Sequence, residues 1–362
     1  MSICASDSSP IISDAQSIVV TDSEMLPSED DYWVGPTIGE GAFGHVVYAV
    51  HKATEQKVAI KVMEVPNTKQ GNLHRQLQQQ QKTQMILNER RILNLPAIKS
   101  SRWTIDLWAA FLGKPSSTQC LYFVMKLATG GDLAGLIKRG LESSCQPLWR
   151  QHSVPYYASQ LIQAVEFLHS QGILHCDLKP ENLLLDATTG NLMVADFGCS
   201  LDTSLPLEQN LSFPRGTALY AAPEVLRAVD DLTVTVDYWS VGCILHAMMF
   251  GSSPFDRGSE ALTVEAIVGY DGNFKEWKKE NALTGTSDND NPIDQLVGDL
   301  LVIDIEDRIA AWKDKALSFL NSIDDGEVGT KKDILLPVPE WQEQVNNSTL
   351  RDGSLGWLVF QI

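Results

Sequence analysis

The stretch HCDLKPENLLL (His175–Leu185) places charged and amide side chains in a short loop that leads directly into an apolar run. Asp177, Lys179 and Asn182 lie in that loop, and Asp196 follows further on in NLMVADFG. Carboxylate and amide oxygens are the ligands that Mg²⁺ binds, so Asn182 and Asp196 are candidate metal ligands. Asp177 can accept a hydroxyl proton, and Lys179 can neutralise phosphoryl oxygens. An ordinary polar loop built from turn residues remains the alternative.

A glycine-rich segment, GEGAFG (39–44), fits the pattern GxGxxG, which dinucleotide-binding folds also use. A dinucleotide-binding unit would open a helix directly after the glycines, whereas HVVYAV here predicts a second strand. A glycine turn between two strands lets backbone amides approach phosphates, because no Cβ blocks the way. A phosphate-covering flap and an ordinary glycine-rich hairpin both remain open.

Lys61 lies inside the apolar strand pattern VAIKV, where its stem is expected to be buried. A buried ammonium group needs an anionic partner. Glu89, in the helical segment LNERRIL, is the candidate partner. Two unrelated surface charges are the alternative, since Arg90 and Arg91 follow Glu89 directly.

Composition excludes several classes of protein. The chain has 362 residues, 44% of them hydrophobic, and a formal net charge of -18. No block of Lys and Arg is present, which argues against a nucleic-acid partner, and the acidity favours a cationic one or simply a solubilising surface. The six cysteines form no CxxC pair, as in a reduced intracellular protein. No signal peptide is recognisable, and no apolar run reaches the roughly 18 residues of a membrane span.

The order of elements predicts an α+β architecture. Strand patterns dominate the early part, as in KVAIKVMEV (57–65) and CLYFVMKL (120–127), and helical patterns dominate from GGDLAGLI onward. The Gln-rich stretch 74–84 is expected to be a solvated helix or a flexible insert. Residues 1–31, rich in Ser, Asp and Pro, are expected to be a disordered leader. Two packed units with a cleft where they join are therefore expected.

Together these segments resemble the eukaryotic protein kinase family. The matching segments follow the order of the family: GEGAFGHV, VAIK, the helix with Glu89, HCDLKPEN, DFG (Asp196–Gly198), APE (Ala222–Glu224) and DYWSVG (Asp237–Gly242). Arg308 in EDRIA resembles the arginine that pairs with the glutamate of APE. The resemblance implies a bilobal kinase domain over 32–316. Within it, the N-lobe would span 32–125, the hinge 126–131 and the C-lobe 132–316, and a C-terminal tail would span 317–362.

The resemblance also implies ATP- and Mg²⁺-dependent transfer of a phosphoryl group to a protein hydroxyl. The implied catalytic residues are Asp177 as base, Lys179 as phosphate clamp, and Lys61 paired with Glu89. The implied metal ligands are Asn182 and Asp196. The implied ATP-binding residues are Ile38, Gly39, Glu40, Gly41, Ala42, Phe43, Gly44, Val46, Ala59, Lys61, Met125, Lys126, Ala128, Asp132 and Leu184.

Details of the motifs point to a branch of the family. DLKPEN and GTALYAAPE, with Thr217, resemble serine/threonine kinases. LNERRILNL, GTALYAAPE and LLVIDIEDRI are similar to AGC kinases, and most of all to phosphoinositide-dependent kinases. Asp132 and Glu181 match acidic positions that recognise arginine in basophilic relatives, so basic target sites are expected. A calcium/calmodulin-dependent-like kinase, a kinase for small molecules and a pseudokinase scaffold are the alternatives.

The segment from Asp196 to Glu224 holds the candidate activation sites Ser212 and Ser204. A phosphate there usually pairs with an arginine preceding the catalytic aspartate, but this chain has Cys176, which is neutral. We therefore expect phosphorylation of the segment to have little effect on activity. The resemblance and composition further imply an intracellular protein, cytoplasmic or nuclear, with ATP and a protein substrate as partners.

Overall fold

The structure is a computed structural model of the chain. The structure describes residues 28–41, 44–65, 72–99, 101–113, 119–142, 144–206, 216–229, 232–281, 291–322, 334, 339, 341–348 and 351–352. The strands are β1 (Tyr32–Gly41), β2 (Gly44–His51), β3 (Lys57–Glu64), β4 (Leu107–Gly113), β5 (Cys120–Lys126), β6 (Ile173–Leu174), β7 (Leu183–Leu185), β8 (Leu192–Val194), β9 (Leu201–Asp202) and β10 (Arg351–Asp352).

The helices alternate with the strands at first and then follow one another. They are α1 (Leu73–Leu93), α2 (Leu133–Gly140), α3 (Val154–Ser170), α4 (Pro223–Leu226), α5 (Thr235–Phe250), α6 (Glu260–Val268), α7 (Phe274–Glu280), α8 (Pro292–Leu300), α9 (Ile305–Ala311), α10 (Leu317–Ser322) and α11 (Trp341–Asn347). Short helical turns occur in addition, among them Glu29–Asp31, which lies within the predicted leader, and Pro180–Asn182. None of the described helices is long and apolar enough to span a membrane.

The chain divides into two compact units. The smaller unit groups 1–83, 106–127 and 341–362, and the larger unit groups 84–105 and 128–340. The division falls inside α1, so the Glu89 end of that helix groups with the larger unit. The predicted α+β class, with a β-rich smaller unit and a helical larger one, is confirmed.

The smaller unit is an antiparallel sheet. Among the described residues its strand order is β10–β1–β2–β3–β5–β4. β-branched residues occupy the central strands because they pack well on a pleated surface. One face buries a core of Tyr32, Val34, Val47, Ala49, Val58, Ile60, Val62, Phe111, Cys120, Tyr122 and Val124.

Gly44 allows the close contact of β2 with β3. A Cβ placed on Gly44 would lie 1.9 Å from the carbonyl oxygen of Val62, so no other residue fits without moving a strand. Gly41 and Gly44 are paired at the end of the β1–β2 ladder. The two predicted strands on either side of the glycines are confirmed, while the predicted turn at Ala42 and Phe43 lies outside the described part of the chain.

The end of the described chain packs on the smaller unit. Trp341 of α11 is 9% exposed and packs in a cluster with Tyr48, Ala59 and Leu127, with its ring centroid 6.3 Å from that of Tyr48. β10 adds a short antiparallel strand beside β1, opposite Trp33 and Val34. This part of the predicted tail is therefore an integral piece of the small sheet unit.

The larger unit is built around α5. Almost every residue of this helix is buried, which explains why the segment is apolar on all sides. The guanidinium group of Arg308 donates to Glu224 Oε1 at 2.6 Å and to the carbonyl oxygen of Thr235 at 3.0 Å. The predicted pair between Arg308 and the APE glutamate is present, and it links α9 to α4.

Replacing Trp341 tests whether the C-terminal segment stabilises the smaller unit. Trp341→Ala removes a buried indole, and we expect a loss of about 3 kcal/mol in the free energy of unfolding. Urea unfolding followed by circular dichroism measures it. Gln344→Ala, an exposed change on the same helix, should cost less than about 0.5 kcal/mol. Equal and small effects of both changes would show that α11 does not stabilise the sheet.

Candidate active site

The backbone of the loop at His175 is held by one buried carboxylate, that of Asp237 on α5. Its Oδ2 accepts from the backbone N–H of His175 at 2.8 Å, and its Oδ1 accepts from that of Cys176 at 2.9 Å. The ring Nε2 of His169 donates to Oδ2 at 2.8 Å. Burial alone raises the pKa of Asp237, but the hydrogen bond and charge of His169 and the N–H of His175 outweigh it and lower the pKa.

Cys176 adopts a left-handed backbone conformation, with φ of +64°. Such a conformation is uncommon for residues other than glycine, and Asp237 supplies the contact that holds it. Gly216 packs against the same loop, since a Cβ there would lie 2.4 Å from the carbonyl oxygen of Cys176. Gly216, which precedes Thr217 and the APE residues, thus contacts the backbone of the loop at Cys176.

Four predicted site residues come together around Asp177. Its Oδ1 accepts from the backbone N–H of Thr217 at 2.7 Å. Its Oδ2 accepts from Lys179 Nζ at 3.1 Å and from Asn182 Nδ2 at 3.3 Å. Lys179 Nζ also donates to Thr217 Oγ1 at 2.8 Å. The arrangement places a carboxylate, which can accept a proton, and an ammonium group, which can neutralise an anion, beside a threonine hydroxyl.

The two predicted metal ligands are joined through the backbone. The N–H of Ala195 donates to the carbonyl oxygen of Asn182 at 2.9 Å, directly before Asp196. The amide nitrogen of Asn182 donates to Asp177, which leaves the amide oxygen as the group able to bind a cation. Oxygen donors of this kind fit Mg²⁺. Among the described residues no group of three or more His, Cys, Asp and Glu is placed to hold a metal ion.

Asp196 begins the DFG segment in a left-handed conformation, with φ of +65°. The ring of His175 contacts that of Phe197 edge-on at 5.1 Å, and His175 Nε2 donates to the carbonyl oxygen of Ala195 at 3.0 Å. Asn88 of α1 donates from its amide nitrogen to the carbonyl oxygens of Phe197, Gly198 and Ser200, at 3.2, 3.3 and 2.9 Å. α1 therefore contacts the backbone of the DFG segment through the side chain of Asn88.

The predicted nucleotide-binding residues of the smaller unit lie on neighbouring strands. Gly39 and Glu40 lie opposite Val46 and His45 at the end of the β1–β2 ladder. Lys61 lies opposite Val46, and Ala59 lies opposite Met125. Ile38 and Val46 pack against the cluster that contains Ala59. Glu89 is 3% exposed on the part of α1 that groups with the larger unit, so its pairing with Lys61 stays a prediction.

The remaining predicted residues are spread over other elements. The backbone N–H of Lys126 donates to the carbonyl oxygen of Asp106 at 3.0 Å. Ala128 accepts from the N–H of Gly131. Asp132 caps α2, accepting from the N–H of Gly135 at 2.8 Å, and it forms a bridge to Leu184 of β7. One carboxylate oxygen of Asp132 is thus engaged in a cap. Glu181 is exposed, Ser204 is exposed after β9, and Ser212 lies outside the described residues.

Several residues with positioning contacts were missed at the sequence level. Asp237 entered only as part of DYWSVG, Asn88 is the residue before Glu89, and Asp202 lies in a stretch with no motif. The sequence signals were weak: Asp237 is a carboxylate in an apolar helix, Asn88 is an amide beside Glu89, and Asp202 gave no signal. An aspartate in an apolar helix does predict a buried acceptor, so Asp237 could have been found.

Removing the acceptor at Asp237 should loosen the loop. In Asp237→Asn one of the two oxygens becomes an N–H₂ group that cannot accept, so a buried N–H loses its partner. We expect a loss of about 2–4 kcal/mol in the free energy of unfolding and faster hydrogen–deuterium exchange at 175–176. Asp314→Asn, an exposed change, is the matched control. Unchanged exchange at 175–176 in Asp237→Asn would contradict this role.

Sequence comparison agrees with the geometry. The profile of the family described as "Protein kinase domain" matches residues 32–320. The chain is 30% identical to the serine/threonine-protein kinase PKH3 of Saccharomyces cerevisiae over 315 residues, which are 82% of this chain and 32% of that protein. It is 33% identical to citron Rho-interacting kinase of Homo sapiens over 68% of this chain and 11% of that protein.

A plant relative gives the same result. The chain is 32% identical to CBL-interacting serine/threonine-protein kinase 26 of Arabidopsis thaliana over 69% of this chain and 52% of that protein. The chain thus spans about half of this relative's length and a third or less of that of the other two. With a family profile that covers most of the chain, and with the APE–arginine pair and the loop around Asp177 in place, the chain belongs to the protein kinase family.

Proposed function

We propose that this protein is a serine/threonine protein kinase, which transfers the γ-phosphoryl group of ATP to a hydroxyl of a protein substrate. The observation that carries the proposal is the cluster of Asp177, Lys179, Asn182 and Thr217, joined by hydrogen bonds of 2.7–3.3 Å. A scaffold without activity would not need to retain this set, and relatives named as serine/threonine kinases support the reading.

Asp177 acts as the base in this proposal. Its carboxylate accepts the proton of the substrate hydroxyl as the oxygen attacks phosphorus. Lys179 lies beside it and stabilises the negative charge on the transferred group. Thr217 holds both side chains in position through its N–H and its hydroxyl. Because the contacts preorganise the site, little rearrangement is needed during the reaction.

The proposed activity needs ATP and Mg²⁺, and residues of this chain are suited to bind both. Mg²⁺ would be held by Asn182 and Asp196 and would neutralise the phosphate oxygens of ATP. Gly39, Gly41 and Gly44 would lie over the phosphates, and Lys61, oriented by Glu89, would bind them. The apolar residues Ile38, Val46, Ala59, Met125 and Leu184, with the backbone of Lys126 and Ala128, would contact adenine.

A basic substrate is the finer part of the proposal. The net charge of -18 attracts cationic peptides, and the exposed carboxylate of Glu181 lies one residue before Asn182 in the catalytic loop. Asp132 is a second acidic candidate, although one of its oxygens caps α2. The AGC-like motifs favour an AGC-type enzyme close to phosphoinositide-dependent kinases, and similarity to the serine/threonine-protein kinase PKH3 supports the choice of serine or threonine as target. An intracellular location, cytoplasmic or nuclear, fits this activity.

Removing the base tests the proposed activity. We expect Asp177→Asn to lower the rate of γ-phosphoryl transfer from radiolabelled ATP to a basic protein by at least about a hundredfold. Asp196→Asn should also abolish phosphoryl transfer, and added Mg²⁺ should not restore it. Glu265→Gln, on an exposed helix surface, is the control and should remain active. If the wild-type protein binds partners but transfers no more phosphate than Asp177→Asn does, the protein is a scaffold and the proposed activity is wrong.

Replacing Glu181 tests the substrate class. In a peptide library we expect wild-type protein to favour arginine upstream of the target residue. Glu181→Gln should raise KM for such peptides about tenfold with little change in kcat, because it removes a charge that binds substrate but not the reacting atoms. Glu260→Gln is an exposed control. A preference for acidic or proline-directed peptides would refute the basic substrate class.

A further inference from the structure

The activation segment is tied to α1 by an ion pair between Arg91 and Asp202. Arg91 Nη1 lies 2.7 Å from Asp202 Oδ2. The side chain of Asp202 is 6% exposed, whereas that of Arg91 is 36% exposed. Both residues lie in the larger unit. A charge-assisted hydrogen bond to a buried carboxylate is stronger than an exposed ion pair.

Asp202 carries a permanent negative charge in this position. Its Oδ1 accepts from the backbone N–H of Ser204 at 3.0 Å and from the Ser204 hydroxyl at 2.6 Å. Burial alone raises the pKa of Asp202, but the hydrogen bonds from Ser204 and Arg91 outweigh it and lower the pKa. The carboxylate is therefore ionised at neutral pH and needs no modification to attract Arg91.

The same part of α1 holds the DFG backbone. Arg91 Nη2 donates to Asn88 Oδ1 at 3.1 Å, and Asn88 donates to the carbonyl oxygens of Phe197, Gly198 and Ser200. Glu89 lies between Asn88 and Arg91 on the helix. The side chains on either side of Glu89 are thus anchored to the larger unit, Asn88 to backbone carbonyl oxygens of 197–200 and Arg91 to the side chain of Asp202, and together they restrict rotation of this part of α1 about its axis.

β9 is in turn fixed to the loop of Asp177. Ile173 pairs with Asp202, and Leu174 pairs with Leu201. The Ser200 hydroxyl donates to the carbonyl oxygen of His175 at 3.1 Å. An arginine at position 176 would be the usual receiver for a phosphate on this segment, and Cys176 cannot take that role. β9, which carries Asp202, is instead connected to this loop by its pairing with β6 and by the Ser200 hydrogen bond to His175, and neither contact needs an arginine at position 176.

We propose that the Arg91–Asp202 ion pair replaces an activating phosphate in this kinase, and that Ser204 is a modification site at which a phosphate lowers activity. The inference rests on the proposed kinase function. Arg91, Asp202 and Asn88 are positioning residues, because they act through α1 and the DFG backbone and not on the reacting atoms. Activity then requires no phosphorylation of the segment, and a phosphate at Ser204 has a larger effect than the small one expected from the sequence.

Ser204 is placed to oppose the ion pair. It is exposed in the turn after β9, and its hydroxyl donates to Asp202. Another protein kinase would supply the phosphate: the Ser204 oxygen bonds to the γ-phosphorus of ATP, the bond to ADP breaks, and the hydroxyl proton leaves to that kinase's base. The product lacks the donor and brings a charge of roughly -1.5 to -2 next to the buried carboxylate. The phosphate on Ser204 would therefore repel the carboxylate of Asp202 and compete with it for Arg91.

The first experiment uses full-length protein treated with a phosphatase and checked for loss of phosphate by mass spectrometry. Its kcat should stay within about twofold of the untreated protein. Arg91→Gln and Asp202→Asn should each lower kcat by roughly tenfold, which corresponds to one broken charge-assisted contact. Arg75→Gln, an exposed arginine on the same helix, should leave kcat unchanged.

Charge reversal separates positioning from a general loss of stability. Arg91→Asp and Asp202→Arg should each be impaired, and the double variant should regain at least a third of the wild-type kcat (roughly, given the altered geometry). Hydrogen–deuterium exchange of 199–206 should rise in Arg91→Gln but not in Arg75→Gln. No rescue together with unchanged exchange would overturn the role of the pair.

Ser204 is tested by matched variants. Ser204→Ala should retain activity within about threefold, whereas Ser204→Glu should lose roughly tenfold, with no further loss when Asp202→Asn is already present. Equal or higher activity of Ser204→Glu, or a large loss after phosphatase treatment, would refute the inference. If wild-type protein transfers no phosphate at all, the proposed function fails, and the exchange experiment still decides whether the ion pair holds the segment.

Discussion

The buried carboxylate of Asp237 is the contact on which the site depends. It accepts two successive backbone N–H groups, those of His175 and Cys176, and a third hydrogen bond from His169. A carboxylate that has no access to water must be paired, and three donors satisfy that demand. In return the loop is held in a conformation with positive φ at Cys176, which presents Asp177 to Lys179, Asn182 and Thr217.

The same logic connects the DFG segment to the rest of the larger unit. Asn88 satisfies three carbonyl oxygens of the segment, and Arg91 neutralises the carboxylate of Asp202. Cys176 removes the phosphate-binding arginine expected at its position, and the structure holds β9 by other means. These polar contacts fix the geometry of the C-terminal part of α1, of β9 and of the DFG segment relative to one another.

Motif positions were the predictable part of the site. Residues within one loop, such as Asp177, Lys179 and Asn182, can be assigned together because the chain itself keeps them close. The Arg308–Glu224 pair was predicted through the family resemblance, although 84 positions separate the two residues. The contacts of Asn88 and Asp202 were not predicted, since they span more than a hundred positions and no motif assigned either residue a role. The cap made by Asp132 shows that an acidic residue chosen for binding can also have a local structural task.

The sequence alone predicted the elements that carry the motifs and the candidate residues of the site. Alternating β-branched residues predicted β3, the valine-rich run after the glycines predicted β2, a short apolar run predicted β5, and an all-apolar pattern predicted α5, because these preferences act over a few neighbouring residues. The tertiary structure decided which distant groups meet: Asp237 with the loop, Arg91 with Asp202, Trp341 with the sheet. Such contacts depend on how packed elements align, and a buried charge or indole is stable only where that alignment supplies its partners.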